Sequence, residues 1–338
     1  MNDNGPVVCF GEMLMRLSPE TGVPLAMADQ LCVDIGGAEA NVAAALASLG
    51  MPARMLTRLP NNPLGRMAIS ALGAAGVDTS FISQASGRLG LYFFEPPAGP
   101  MPGRVTYDRD SSVFARSTPD DLSFTEALSS AQLFHMSGIT PALGPRGVAL
   151  ARAAVGAARD AGVPVCFDGN YRANLWSSWD SKPREILTEL VAEAEVMFGN
   201  HRDISLLLGQ DFSGDGPDRR REAAQAAFDT FPKLKLIAST ARRIESAKVH
   251  QIAARVDERD DHWQTPEMRV ENIVDRIGTG DAFAAGVLFS HLAGLGSREA
   301  AKTGLALAAL KHGVAGDQIL IDRAELEAFR PDASDVRR

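Results

Sequence analysis

Asp275-Arg276-Ile277-Gly278-Thr279-Gly280-Asp281-Ala282-Phe283-Ala284-Ala285-Gly286 is the most informative segment of the chain. A strand-like run at 270–274 precedes it and a helix-like run at 282–292 follows. Gly278 and Gly280 let the backbone turn tightly, so that successive N–H groups point outward from the start of a helix. Unpaired donors and the positive end of the helix dipole together bind an anion. Asp281 falls in the first turn, a favourable place for a carboxylate even when it only caps a helix. The small residues Ala282, Ala284, Ala285 and Gly286 go beyond capping, because they permit close approach to a neighbouring element.

Outward from this stretch, short apolar runs at 7–11, 53–59, 133–137, 163–168, 196–199 and 234–239 end at Gly or polar residues. Continuous apolar runs suit parallel strands buried on both faces. Amphipathic or Ala-rich stretches at 38–49, 64–75, 145–161, 182–194 and 219–231 lie between them. This alternation predicts an α/β fold with a doubly wound, mostly parallel sheet. Residues 12–33 and 90–110 break the rhythm. Leu14, Arg16, Leu25 and Met27 in the first, and Tyr92, Phe94, Val105, Tyr107 and Arg109 in the second, suggest antiparallel strands with one covered face. The 96–100 stretch, Pro-Pro-Ala-Gly-Pro, reads as a turn between two of them. The expectation is one domain over 1–338, with a small β-sheet lid inserted at about 12–35 and 88–112.

Composition narrows the function. The 338 residues are 45% hydrophobic and 22% charged, which suits a globular protein and not a disordered one. A net charge of −8 argues against a broad nucleic-acid surface, so an anionic ligand needs local Arg residues or backbone donors. Cys9, Cys32 and Cys166 lie far apart among apolar neighbours and read as packed thiols of a reducing compartment. No His or Cys spacing suggests zinc. Residues 282–297 fall short of a membrane span, and Met1-Asn2-Asp3 carries no basic leader region, so a cytoplasmic protein is expected.

Residues 275–286 resemble the second signature of the ribokinase-like (PfkB) sugar kinases, Asp-Thr-x-Gly-Ala-Gly-Asp-x-Phe-x-x-Gly. The resemblance implies that Asp281 is the base taking the sugar hydroxyl proton, and that Gly278, Thr279 and Gly280 belong to the anion hole for the transferred phosphoryl group. Phosphoryl transfer asks mainly for alignment and charge stabilisation, which such a turn supplies. Arg276 and Thr279 depart from the family's commonest residues without removing a glycine or carboxylate. The first signature is matched by Gly36-Gly37-Ala38-Glu39-Ala40-Asn41. It implies that Gly36, Gly37 and Asn41 bind the sugar, with glycines allowing close approach and Asn41 both donating and accepting. Neither a P-loop nor a dinucleotide Gly-x-Gly-x-x-Gly fingerprint is present.

Two further segments resemble the 2-keto-3-deoxygluconate kinase branch: Tyr107-Asp108-Arg109-Asp110-Ser111-Ser112 on the lid, and Asn170-Tyr171-Arg172-Ala173-Asn174-Leu175-Trp176 after a buried-type strand. Guanidinium groups suit bidentate carboxylate or phosphate binding. The likeness implies contacts to an acid sugar from Tyr92, Tyr107 and Arg109, an apolar wall at Ile139, and Arg172 between sugar and nucleotide. Asp108 replaces a tyrosine usual in that branch, and strand alternation directs it to the opposite face. Fructokinases share the Arg172 segment. At the nucleotide end the likeness implies Asn170, Arg172, Asn200, Ser239 and Arg242, and an indirect Mg²⁺ role for Asp203 in Asn200-His201-Arg202-Asp203. Residues 239–245 lack the glycines usual in the family's nucleotide turn and read as a polar loop. The resemblance thus implies an ATP- and Mg²⁺-dependent kinase acting on the 6-hydroxyl of 2-keto-3-deoxygluconate, in a homodimer or larger homo-oligomer built through the lid. Fructokinase or another sugar kinase of this fold, and a non-catalytic sugar-binding paralogue, are the alternatives.

Overall fold

A computed structural model describes residues 5–330. Its strands in chain order are β1 (Val7–Phe10), β2 (Leu14–Ser18), β3 (Cys32–Gly36), β4 (Ala53–Pro60), β5 (Ile82–Ala85), β6 (Gly90–Glu95) and β7 (Arg104–Asp108). Then come β8 (Leu133–Ser137), β9 (Val165–Asp168), β10 (Ala194–Phe198), β11 (Leu236–Ser246), β12 (Val249–Glu258), β13 (His262–Gln264) and β14 (Met268–Glu271). Among the described residues they form a ten-stranded sheet, ordered β13-β12-β11-β10-β9-β8-β1-β4-β5 with β14 also on β12, and a separate four-stranded sheet. From β11 across to β5 every pairing is parallel.

The parallel strands are buried on both faces, as their unbroken apolar runs predict. On β1, Val7 and Cys9 pack into one core cluster while Val8 and Phe10 pack into the other. Helices Ala38–Ser48, Thr279–Leu292 and Gly296–His312 cover the first cluster. Helices Pro145–Asp160, Pro183–Val191 and Gly216–Thr230 cover the second. Among the described residues no helix is long and apolar enough to cross a membrane.

The small-residue run after Asp281 has the purpose its composition suggests. A Cβ on Gly286 would lie 2.7 Å from the Thr303 carbonyl oxygen and 2.8 Å from Gly304 Cα, so the helices Thr279–Leu292 and Gly296–His312 touch backbone to backbone there. This contact fixes the direction of the helix that starts at the glycine turn.

The small sheet is ordered β3-β2-β6-β7. Tyr92 and Phe94 on β6 pack with Leu14 on its covered face, as alternation predicts. Four expectations are corrected. β2 and β6 pair in parallel, although β2 with β3 and β6 with β7 are antiparallel, because the two hairpins are brought side by side from distant parts of the chain. Leu25–Met27 is a short 3₁₀ turn, started by Pro24, and not a strand. Residues 239–245 are not a loop: β11 continues to Ser246 and pairs antiparallel with β12. The strand expected at 270–274 also ends at Glu271, where Asn272 takes φ +53.

Two glycine substitutions separate packing from propensity. Gly286→Ala meets backbone that cannot yield and should cost roughly 1–3 kcal/mol of stability. Gly73→Ala, which meets nothing within 4 Å in the helix Pro63–Ala74, should gain roughly 0.5–1 kcal/mol. Denaturant unfolding of both variants checks the pair, and a neutral Gly286→Ala would contradict the close helix contact.

Candidate active site

The carboxyl ends of β8, β9 and β10 face a cleft of about 880 Å³, which Tyr92 and Tyr107 of the small sheet border from the other side. Ligands of doubly wound sheets bind beyond these strand ends.

Asp275 organises the glycine turn. Its Oδ1 accepts the Ile277 N–H at 2.9 Å and its Oδ2 accepts the Gly316 N–H at 3.2 Å. Gly278 takes φ +79, and a Cβ there would lie 1.9 Å from the Asp317 carbonyl oxygen, so the turn requires glycine. The helix then starts, and the N–H groups of Gly278, Gly280 and Asp281 find no acceptor among the described residues. Thr279 does not join them, since its N–H donates to the Arg276 carbonyl at 3.4 Å and its hydroxyl donates to the same oxygen at 2.9 Å. Space in front of Gly280 is empty to 4 Å.

Asp281 faces this same space. Asn41 Nδ2 donates to its Oδ2 at 2.7 Å, which joins the two glycine motifs across 240 positions of sequence. Burial pushes the Asp281 carboxyl up to about 6, the Asn41 hydrogen bond opposes the shift and the Asp317 charge adds to it. Gly37 borders the cleft at φ +140, where a Cβ would strike the Glu12 carbonyl oxygen. Gly36, expected beside the sugar, sits behind the cleft wall, because a Cβ on it would lie 2.0 Å from Asp317 Oδ2.

Two acids not singled out from the sequence also border the cleft. Asp168, at the end of β9, is pushed up to about 8 by burial and by the charges of Asp281 and Asp203. Glu39 is pushed up to about 7 by burial, and its Oε1 has no partner. Glu39 stood inside the first glycine motif and Asp168 ended the apolar run 163–168, and a carboxylate ending an apolar run or starting an Ala-rich helix was the available signal. Arg172, which ends the loop after β9, lies close enough to Asp168, Asp203 and Asp281 to favour their charged forms.

A buried ionic cluster ties the lid to the turn. Arg16 Nη1 of β2 lies 2.6 Å from Asp275 Oδ2 and 3.2 Å from Asp317 Oδ1. Tyr92 of β6 donates its hydroxyl to Asp317 at 2.6 Å, so this expected sugar contact is already engaged. Lys311, also buried, donates to the Val314 carbonyl at 2.8 Å beside the same two carboxylates.

The lid Arg is engaged as well. Arg109 lies one residue past β7 and is 4% exposed, with Nε 2.8 Å from Glu12 Oε2, so its charge is balanced within the protein. Its guanidinium stacks 5.6 Å from the Tyr107 ring centroid, which bears out their shared face. Asp108 points away, as alternation predicts, and pairs with Arg88 at 2.7 Å. Ile139 opens the short helix Ile139–Ala142 and borders the cleft.

At the far end of the cleft, Asn200 caps the helix His201–Leu208 by accepting the Arg202 N–H at 2.8 Å, while Asp203 accepts the Asn200 N–H at 2.8 Å. Burial raises the Asp203 carboxyl above its ordinary range. Asn170 takes φ +38 and donates its N–H to Asp168 at 3.1 Å. Ser239 and Arg242 border the cleft from β11, joined by Arg202 and Arg276, which the sequence had not placed there.

A family model described as pfkB family carbohydrate kinase matches residues 5–323. The chain is 34% identical over 322 residues to the 2-dehydro-3-deoxygalactonokinase of Haloferax volcanii, covering 95% of each. The crystal structure of 2-dehydro-3-deoxygluconokinase from Thermotoga maritima is similar at a TM-score of 0.90 and 34% identity, over 96% of this chain and 97% of that one. Fructokinase-1 of Zea mays is 29% identical over 283 residues, covering 83% of this chain and 81% of the relative.

Replacing Arg16 by Met leaves the buried Asp275 and Asp317 without their shared cation, and should cost about 3–5 kcal/mol of stability at pH 8. Asp317 is held above its ordinary carboxyl range, so its protonation favours the folded state as pH falls. The loss in Arg16→Met should therefore be smaller at pH 5 than at pH 8, read by unfolding at both. An equal loss at both would contradict the placement of charge.

Proposed function

This chain belongs to the PfkB family of carbohydrate kinases, and from that premise we propose that it phosphorylates the 6-hydroxyl of 2-keto-3-deoxygluconate, giving 2-keto-3-deoxy-6-phosphogluconate. The observation that carries the chemistry is the Asp281 carboxylate, held at 2.7 Å by Asn41 and set at the head of a helix whose first N–H groups are free. The hydroxyl oxygen bonds to the γ-phosphorus of ATP, the bond from that phosphorus to the β–γ bridging oxygen breaks, and ADP leaves. Asp281 takes the hydroxyl proton. The N–H groups of Gly278, Gly280 and Asp281 stabilise the charge on the transferred group.

The sugar lies against Gly37 and Asn41 with Ile139 as an apolar wall, and Arg109, Tyr107 and Tyr92 close over it. Arg109 Nη1 has no partner and is the atom available to a substrate carboxylate. Arg172 stands between sugar and nucleotide, whose phosphates meet Asn170, Asn200, Ser239 and Arg242. Mg²⁺ would supply charge neutralisation on those phosphates. The residues fit it by charge, since the charges of Asp281 and Asp203 add to burial in raising the Asp168 proton affinity. No group of three His, Cys, Asp or Glu among the described residues can hold a metal by itself. Asp168 and Asp203 would therefore hold it together with nucleotide and water.

One observation favours a neutral hexose as the second reading: Glu12 already balances the Arg109 charge. Turnover of 2-keto-3-deoxygluconate, its galactonate epimer and fructose with Mg-ATP decides between them. A large preference for an acid is expected, and a preference for fructose would overturn the substrate assignment.

Asp281→Asn should lower kcat at least a thousandfold with folding intact. Because the base works ionised, wild-type kcat/KM should rise with pH and level off above an apparent pKa of about 6. A profile flat from pH 5 to 8 would remove Asp281 as the base. Gly280→Ala places a methyl in space that is empty, so it should cut activity roughly a hundredfold, as loss of a hole donor does, without lowering stability.

A further inference from the structure

Arg242 and Arg276 border the same end of the cleft, and neither side chain has a hydrogen bond or ion pair among the described residues. Arg242 stands on β11 opposite Ile252 of β12, both facing the cleft. Arg276 stands in the glycine turn, two residues before Gly278. Partial desolvation lowers the Arg242 proton affinity, and repulsion by the Arg276 guanidinium adds to it. The two histidines that pack behind the pair add no negative charge. His250 of β12 is held down to about 4 by burial and by Arg242, so it is neutral. His312 ends the helix Gly296–His312, is 2% exposed, and donates Nδ1–H to the Ala308 carbonyl at 2.6 Å. Its Nε2 has no partner, nor has His250 Nδ1.

Arg242 is solvent-exposed and Arg276 half-buried, so the unpaired cationic couple is hydrated at the cleft wall and open to an anionic ligand. The sugar carboxyl is not that anion, because Asp281, Asp168 and Glu39 stand at the sugar end. We propose that Arg242 and Arg276 form a two-guanidinium clamp on the phosphates of the nucleotide donor, performing with side chains what a glycine turn does with backbone donors. Guanidinium groups present paired donors that match phosphate oxygens and keep their charge at any working pH. The assignment rests on the kinase reading, and it adds Arg276 and a division of labour: β11 and the turn each supply one half of the clamp.

Arg242→Gln, Arg276→Gln and the corresponding Lys variants test it. Calorimetric ADP binding and the KM values for Mg-ATP and sugar are read on the same preparations. Each Gln variant should weaken ADP and raise the ATP KM roughly tenfold to a hundredfold, as loss of a charged hydrogen bond does. The sugar KM and the unfolding temperature should not move, and Lys should restore part of the affinity. Unchanged ADP binding in an active protein would overturn the clamp alone. Sugar KM rising in step with the ATP KM, or a lowered unfolding temperature, would equally overturn it in favour of a substrate or structural role. A wild type that binds no ADP would remove the kinase reading and the clamp together.

Discussion

One buried guanidinium holds the two sheets in register with the chemistry. Arg16 leaves a lid strand and meets both Asp275, which shapes the glycine turn, and Asp317, which follows the last long helix. The glycines around it are a consequence. Gly36 and Gly278 each lie so close to Asp317 that a methyl on either would overlap it. Four ions of balanced charge, Arg16, Lys311, Asp275 and Asp317, are removed from water here. Such a cluster contributes little net stability when complete, and much instability when one member is missing. Its effect is to make the lid position and the turn geometry a single quantity, since Tyr92 on a second lid strand closes on the same Asp317.

The cleft is divided by charge along its length. Carboxyl groups collect around Asp281, and burial above all raises the proton affinities of Asp281, Glu39 and Asp168. Groups coupled in this way titrate as a set. Guanidiniums without a partner among the described residues collect at the other end, at Arg202, Arg242 and Arg276, with Arg172 near the acids. A ligand carrying a hydroxyl at one end of the reaction and phosphates at the other completes both halves. The chain's net charge of −8 gives no hint of this separation.

Much of the site was legible because its backbone demands are local. A positive φ at Gly37 and at Gly278, and helix starts with free donors, are written in single motifs. Side-chain commitments were not legible. Arg109 reads as a free cation from its own strand, and its partner Glu12 lies 97 positions earlier. Tyr92 reads as a sugar contact, and its hydroxyl is engaged by Asp317, 225 positions later. Residues 239–245 lack apolar alternation along one face because the far half of β11 is solvent-exposed, and cross-strand pairing with β12 makes it a strand.

The doubly wound sheet, the lid and the glycine turn were set by local pattern, because alternation of apolar runs and the placement of glycines act over a few residues at a time. Only the tertiary structure decided which charges are spent inside the protein and which remain for a ligand. That decision depends on pairings between residues hundreds of positions apart, and on burial that strengthens them, neither of which a local pattern encodes.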